Sequence, residues 1–270
     1  MILIGATLLS LWIQLTRSFY TTTSSLLISQ RGSHRQEKLL SSGSTRTHFS
    51  NFQLQGSFIQ DELRPYTMKL HPKELFQKKE SNVLSSQQQT TKQDLLQFFC
   101  DSLKVYDTLE TIIRKVEILS SLQNHGLERQ EALKQDIEWL LGNDKSLTVP
   151  VCGQAGLDYS NYLEGLITPK QNIPKFICNF YNFYFAHTAG GVVVGKGLSK
   201  RLLNDAPLEF YQWKSGNMQE LKKEFCEKID SIAEKWTADE KKDCLGECLT
   251  TFRFAGSLLK YVTVPPDFGG

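Results

Sequence analysis

His71 closes the segment Arg64-Pro-Tyr-Thr-Met-Lys-Leu-His71, in which Arg64 precedes it by about two helical turns. A neutral imidazole at that place could ligate iron, and a guanidinium near it could receive a carboxylate. The same spacing also fits a surface histidine or a core filler. A second constellation is Lys175 to Asn204, KFICNFYNFYFAHTAGGVVVGKGLSKRLLN, a helical pattern that contains Gly190, Gly191, Gly195 and Gly197. Each interior glycine costs about 1 kcal/mol relative to alanine, so something must offset roughly 3 to 4 kcal/mol of lost propensity. Missing side chains let a flat object lie against the backbone, and paired glycines permit a kink. A close helix crossing through Gly191 and Gly195, or a helix that ends at Gly190, explains the same residues.

Two other chemistries are weaker. Gly190 to Gly197 (GGVVVGKG) approaches the phosphate-cradling pattern G-x-x-x-x-G-K-[ST], but Gly197 stands where the magnesium-binding hydroxyl belongs. The preceding NFYFAHTA is no apolar strand, and the rest of the chain offers no parallel sheet for such a loop to cap. The six cysteines (Cys100, Cys152, Cys178, Cys226, Cys244, Cys248) contain no Cys-x-x-Cys pair and sit among apolar residues. They read as reduced core thiols. Cys244 and Cys248 would share a helix face, yet no histidine stands at a spacing that would complete a zinc site.

The elements that must position these residues are helical from Phe58 onward. Thr91 and Asp94 predict an N-cap, followed by one long amphipathic helix through Leu95, Leu96, Phe99, Leu103, Tyr106, Leu109, Ile113, Val116 and Leu119. Leu127 to Leu141 continues the pattern until Gly142 supplies a stop. Pro150, Gly153 and Gly156 make Leu147 to Leu157 a connector. Pro174 suits the first position of a helix. Thr237 and Glu240 form a second capping box ahead of Leu245, Leu249, Phe252 and Leu259, and Pro265-Pro266 ends the order. With no sustained period of two and no repeat, the expected fold is all-α.

Composition agrees with an ordinary globular chain: 270 residues, 40% hydrophobic, 22% charged and a formal net charge of +2. That balance gives no reason to expect nucleic acid as a ligand. The charge is uneven. Residues 1–56 carry Arg17, Arg31, Arg35, Lys38 and Arg46 against Glu37 alone, leaving 26 basic and 28 acidic residues from 57 onward. This first stretch is also rich in Ser and Thr and lacks a core-forming period, as an organelle presequence does. The apolar run Ile2 to Leu15, without a basic start, keeps a secretory or bipartite leader as the alternative; it is too short to span a bilayer. The expected division is a leader at 1–56, a single helical domain at 57–262 and a tail at 263–270.

Six segments carry a resemblance. MKLH (Met68 to His71), VYDTLE (Val105 to Glu110), GLER (Gly126 to Arg129), FICNFYNFYFAHTAGG (Phe176 to Gly191), LEFYQW (Leu208 to Trp213) and EKWTADEKKDCL (Glu234 to Leu245) occur in that order. Together they resemble the plastid heme oxygenases of plants and algae from about Glu62 to Leu259. The resemblance implies a multi-helix domain that holds heme b between a proximal helix and a glycine-kinked distal helix. His71 would be the axial iron ligand. Gly190 and Gly191 would bring backbone close to bound O2, and His187, where animal enzymes have Asp, would organise a water network. Arg64 and Tyr181 match residues that meet the heme propionates. Where the family has a further Arg this chain has Cys226, which leaves Lys222, one turn away, as the substitute.

Two departures concern geometry: Pro72 directly follows His71 and disfavours helix there, and Asn179 replaces a histidine common in plant sequences. The implied reaction converts heme, O2 and reducing equivalents from ferredoxin into biliverdin IXα, CO and Fe2+, feeding bilin synthesis, with no other metal. The implied setting is a monomer in the chloroplast stroma without a membrane span; Lys196, Lys200 and Arg201 form a candidate basic patch for docking ferredoxin, and a solvated helix end explains the same three residues. A catalytically silent heme- or tetrapyrrole-binding regulator is the alternative, although such relatives typically lose the axial histidine. A helical interaction protein without ligand is a third reading.

Overall fold

The structure, a computed structural model, describes residues 56–70, 90–169, 171–213 and 217–262. His71 and Pro72, the leader apart from Gly56, and the tail including Pro265-Pro266 lie outside the described residues. Among those described the chain is helical with no strand. No helix among them is long and apolar enough to cross a membrane.

A π-helical turn, Phe58–Leu63, runs directly into α1, Arg64–Lys69. Asp230 anchors its start, accepting from Ser57 Oγ at 2.6 Å and from the Ile59 amide at 2.9 Å. Lys241 adds an ion pair to Glu62 at 2.9 Å, and Phe58 meets Trp236 edge to face.

α2, Lys92–Lys115, is the central element. The expected capping box is present, with Thr91 Oγ1 accepting the Asp94 amide and the Asp94 carboxylate accepting the Thr91 amide. The helix is shorter than the apolar period suggests. At Val116 the backbone turns extended (φ −100°, ψ 111°), and Leu119 reaches the core from a 3-10 turn, Glu117–Leu122. Both arrangements bury Leu119, so apolar spacing alone cannot tell them apart.

Three further helices surround α2: α3, Gln130–Asn143, α4, Gln154–Ile167, and α5, Ile173–Ala186. Gly142 does not stop α3, which runs one residue past it. Gly156 is likewise no connector residue. It lies inside α4 because α2 crosses there: an added Cβ would come within 2.9 Å of the Asp101 Cα. The buried Asp101 carboxylate accepts the amides of Gly153 (2.6 Å) and Gly156 (3.3 Å), satisfying donors at the start of α4.

Pro174 opens α5 as expected, with Asn172 Oδ1 accepting the Lys175 amide. The helix continues through a π turn, His187–Gly191, into α6, Val192–Leu202. A 3-10 turn, Glu209–Tyr211, leads to α7, Met218–Ala233, then α8, Ala238–Gly246, and α9, Cys248–Leu258. The Thr237–Glu240 capping box starts α8. The apolar period suggests one continuous helix through Leu259, but the chain breaks at Glu247. The Glu247 carboxylate accepts from Tyr162 Oη (2.6 Å) and Asn179 Nδ2 (3.1 Å), which ties the break to α4 and α5.

Asn179 completes that buried network by accepting from Tyr159 and Thr251. This replacement is therefore a satisfied core residue. α5 lies against α4, α8 and α9, so the kinked helix is held on several sides.

Candidate functional site

The glycine-rich stretch neither ends the helix nor stays straight. His187–Gly191 forms a π turn between α5 and α6, with right-handed helical dihedrals at Ala186, Gly191 and Val192. Such a turn widens the helix locally and re-aims the residues beyond it. Gly191 is required by a close approach, since a Cβ there would lie 2.7 Å from His187 Nδ1. Gly195 is required by another: its Cβ would lie 2.3 Å from carbons of the Tyr211 ring. The packing explanation thus holds for Gly195, one turn beyond the kink. Gly190 is buried in the turn.

His187 is 7% exposed and stacks on Phe210 with ring centroids 4.1 Å apart. Its Nε2 is 2.7 Å from the Phe210 carbonyl. Burial pushes the imidazole down to about 3, so it is neutral at any physiological pH. A carbonyl only accepts, so Nε2 carries the proton and Nδ1 is left with its lone pair. An apolar cavity of about 50 Å³ is lined here by Ser102, Tyr106, Phe183, His187, Gly191 and Val194 among others.

Of the three expected carboxylate-binding residues, Tyr181 and Lys222 meet through Phe185 of α5, while Arg64 lies on α1. Lys222, on α7, is 9% exposed and has its Nζ 5.9 Å from the centre of the Phe185 ring. Phe185 stacks on Tyr181 at 4.4 Å. Burial pushes the Lys222 amine down to about 8; Cys226 opposes this and the Arg64 charge adds a smaller push in the same direction as burial. Burial also drives the Cys226 thiol up to about 12. It is therefore neutral and supplies no charge of its own. Arg64 itself donates from Nη1 to Gln60 Oε1 at 3.0 Å.

α1 approaches the same helix through Thr67, whose Oγ1 is 3.6 Å from Cys248 Sγ; that sulfur is 3.5 Å from Cys178 of α5. α1 ends at Lys69, and the described stretch ends at Leu70, one residue before His71. His187, Gly190 and Gly191 lie together in the π turn, Tyr181 precedes it on α5, and Lys222 reaches α5 at Phe185. Lys196, Lys200 and Arg201 are exposed on α6.

Sequence reading missed the residues that hold the segment opposite the kink. Asp136 accepts the amides of Glu209 and Phe210, both at 2.8 Å. Arg129 donates from Nη1 to the carbonyls of Glu209, Phe210 and Gln212 and covers Trp213 at 4.5 Å. Glu110 accepts the Arg129 and Gln130 amides and the Tyr184 hydroxyl. A signal was available, because Asp136 stands between Leu133 and Leu140 in an apolar stripe where a carboxylate needs buried donors.

Among the described residues the protein is all-helical, with α5 and α6 joined by a π turn that holds paired glycines and with Lys222 buried against the Tyr181–Phe185 stack just before that turn. The family model described as "Heme oxygenase" matches residues 58–260. The chain belongs to the heme oxygenase family. It is 36% identical over 213 residues, 77% of this chain and 72% of the relative, to heme oxygenase 1, chloroplastic, of Oryza sativa subsp. japonica. It is 37% identical over 211 residues, 75% of this chain and 72% of the relative, to heme oxygenase 3, chloroplastic, of Arabidopsis thaliana. A probable inactive heme oxygenase 2, chloroplastic, of Arabidopsis thaliana is 34% identical over 174 residues, 64% of this chain and 56% of that protein. Among solved structures, heme oxygenase 2 from Chlamydomonas reinhardtii, crystallised without heme, superposes with a TM-score of 0.52 at 19% identity. That match covers 65% of this chain and 85% of the other, and it bears on the fold alone.

Proposed function

We propose that this chain is a working plastid heme oxygenase that binds heme and converts it with O2 to biliverdin IXα, CO and Fe2+. The observation that carries the reading is the buried Lys222 ammonium against the Phe185–Tyr181 stack, with the Arg64 charge near enough to act on it. Heme is flat, apolar across its ring and carries two carboxylates at one edge. It fits an aromatic wall that ends in two cations. A propionate beside Lys222 would restore the charge that burial disfavours, as a bare apolar ligand could not.

In this reading Lys222, Arg64 and Tyr181 fix the in-plane rotation of heme, and with it the meso carbon presented for attack. His71, outside the described residues, would hold the heme iron through its imidazole. Gly190 and Gly191 let backbone stand close to the oxygen-binding face, and His187 presents a hydrogen-bonding nitrogen beside them. Bound heme supplies the iron that activates O2 and the ring that is opened. Reduced ferredoxin delivers the electrons, docking at Lys196, Lys200 and Arg201. The working unit is a monomer comprising 57–262, delivered to the stroma by the 1–56 leader. The chloroplastic names of the relatives support the plastid setting.

The test is a hemin titration with product analysis. Arg64→Ala together with Lys222→Ala should weaken heme affinity by roughly tenfold or more, since each charged hydrogen bond is worth about 1.5–3 kcal/mol. The double variant should also release some non-α biliverdin. Unchanged affinity with pure α isomer would refute the propionate assignment.

A further inference from the structure

Two of the segments that carry the family resemblance, GLER and LEFYQW, have no part in the site so far, yet they meet directly opposite the kink. Arg129 and Asp136 grip the backbone of residues 209–212 from two directions. The Asp136 carboxylate takes two consecutive amides, and the Arg129 guanidinium takes three carbonyls. Phe210 is shared by both grips, and its carbonyl is the acceptor for His187 Nε2.

We infer that Arg129 and Asp136 are positioning residues that lock His187 in its Nε2–H tautomer, so that Nδ1 faces the kink as a permanent acceptor. The inference rests on the distal role proposed above for His187. A neutral imidazole can carry its proton on either nitrogen, and the partner of one nitrogen settles what the other offers. Here that partner is a main-chain carbonyl, held in place by the Arg129 fork and by the Glu209 and Phe210 amides that Asp136 binds. Arg129 is itself fixed by Nε donating to the Leu127 carbonyl at 3.1 Å. Glu110 holds the Arg129 backbone amide at 2.9 Å. The lone pair on Nδ1 then stands over Gly191, where a Cβ would be 2.7 Å away, in the wall of the apolar cavity. Glycine at 191 and a pinned carbonyl at 210 are thus two halves of one arrangement. A donor such as a water or a protonated oxygen can approach Nδ1, whereas a second acceptor would be refused.

The tautomer is readable in the full chain without heme by long-range 1H–15N correlation of the histidine rings, with His187→Asn identifying the signal. Wild type should show one tautomer, protonated at Nε2. Asp136→Asn and Arg129→Lys should give a mixture or the other tautomer. Biliverdin formation should fall roughly tenfold, a typical loss when an outer partner of a functional histidine is removed, while heme affinity stays within about twofold. A single Nε2–H tautomer surviving in both variants would overturn the inference, as would activity that falls only in step with heme affinity or folded fraction. The distal role fails separately if His187→Asn itself turns over at the wild-type rate; a tautomer shift in the other two variants would still support the positioning.

Discussion

Lys222 gives the site its clearest pH signature. Its amine is held near 8 in the folded chain against an ordinary 10.5, chiefly by burial. Between those values the unfolded chain binds more protons, so this group makes the ligand-free protein more stable as pH rises from about 8 to 10.5. Heme binding should respond the other way. Carboxylates favour the charged amine, so affinity should drop by up to about tenfold per pH unit above pH 8, and Lys222→Met should flatten the profile. Titrations between pH 7 and 9.5 would show it, and equal slopes in both proteins would remove Lys222 from the site. His71→Ala should abolish biliverdin formation until imidazole is added; full activity without imidazole would exclude it as the ligand. The resemblance points to Arg64, Tyr181 and His187, and Lys222 enters only as the substitute for an Arg that this chain lacks at Cys226. Asp136 and Arg129 escaped notice because their partners are main-chain groups about eighty residues away, which no local pattern records.

The capping boxes at Thr91 and Thr237 were readable because they involve residues three apart. The breaks at Val116 and Glu247 were not, since each is fixed by packing against elements distant in sequence. The glycine stretch was readable as an anomaly, but only the structure separates its members. Gly195→Ala should cost about 1–3 kcal/mol with or without heme, because its methyl meets the Tyr211 ring. Gly190→Ala should leave the ligand-free protein as stable or slightly more so, while lowering biliverdin yield. Melting and yield measured on one preparation of each variant distinguish them, and a large loss of ligand-free stability in the Gly190 variant would assign that glycine to packing. Asp230→Ala should cost about 1–3 kcal/mol by leaving Ser57 and the Ile59 amide without their acceptor. It should also loosen α1 and weaken heme binding; unaltered affinity would mean that α1 is held by other contacts.

At the scale of the molecule, acid should unfold the protein through its buried histidines. Burial pushes both His125 and His187 down to about 3 against an ordinary 6.5, and this outweighs Glu128, whose carboxylate is 3.6 Å from His125 Nε2. The unfolded chain therefore takes up more protons between pH 6.5 and 3. Stability should fall by up to about 1.4 kcal/mol per pH unit for each histidine in that window. Denaturant melts at pH 7, 6 and 5 would reveal the trend, and a flat profile would mean that one ring reaches solvent. The all-helical domain was legible as a whole because its apolar period held over most of the chain. Heme turnover is tested most directly by mixing the full chain with hemin, recording its absorption, and adding O2 and reduced ferredoxin. A heme-bound Soret band should form and then decay as biliverdin IXα absorption and CO appear in step. A stable Soret band with no biliverdin under these conditions would contradict heme oxygenase activity and identify a heme-holding relative instead.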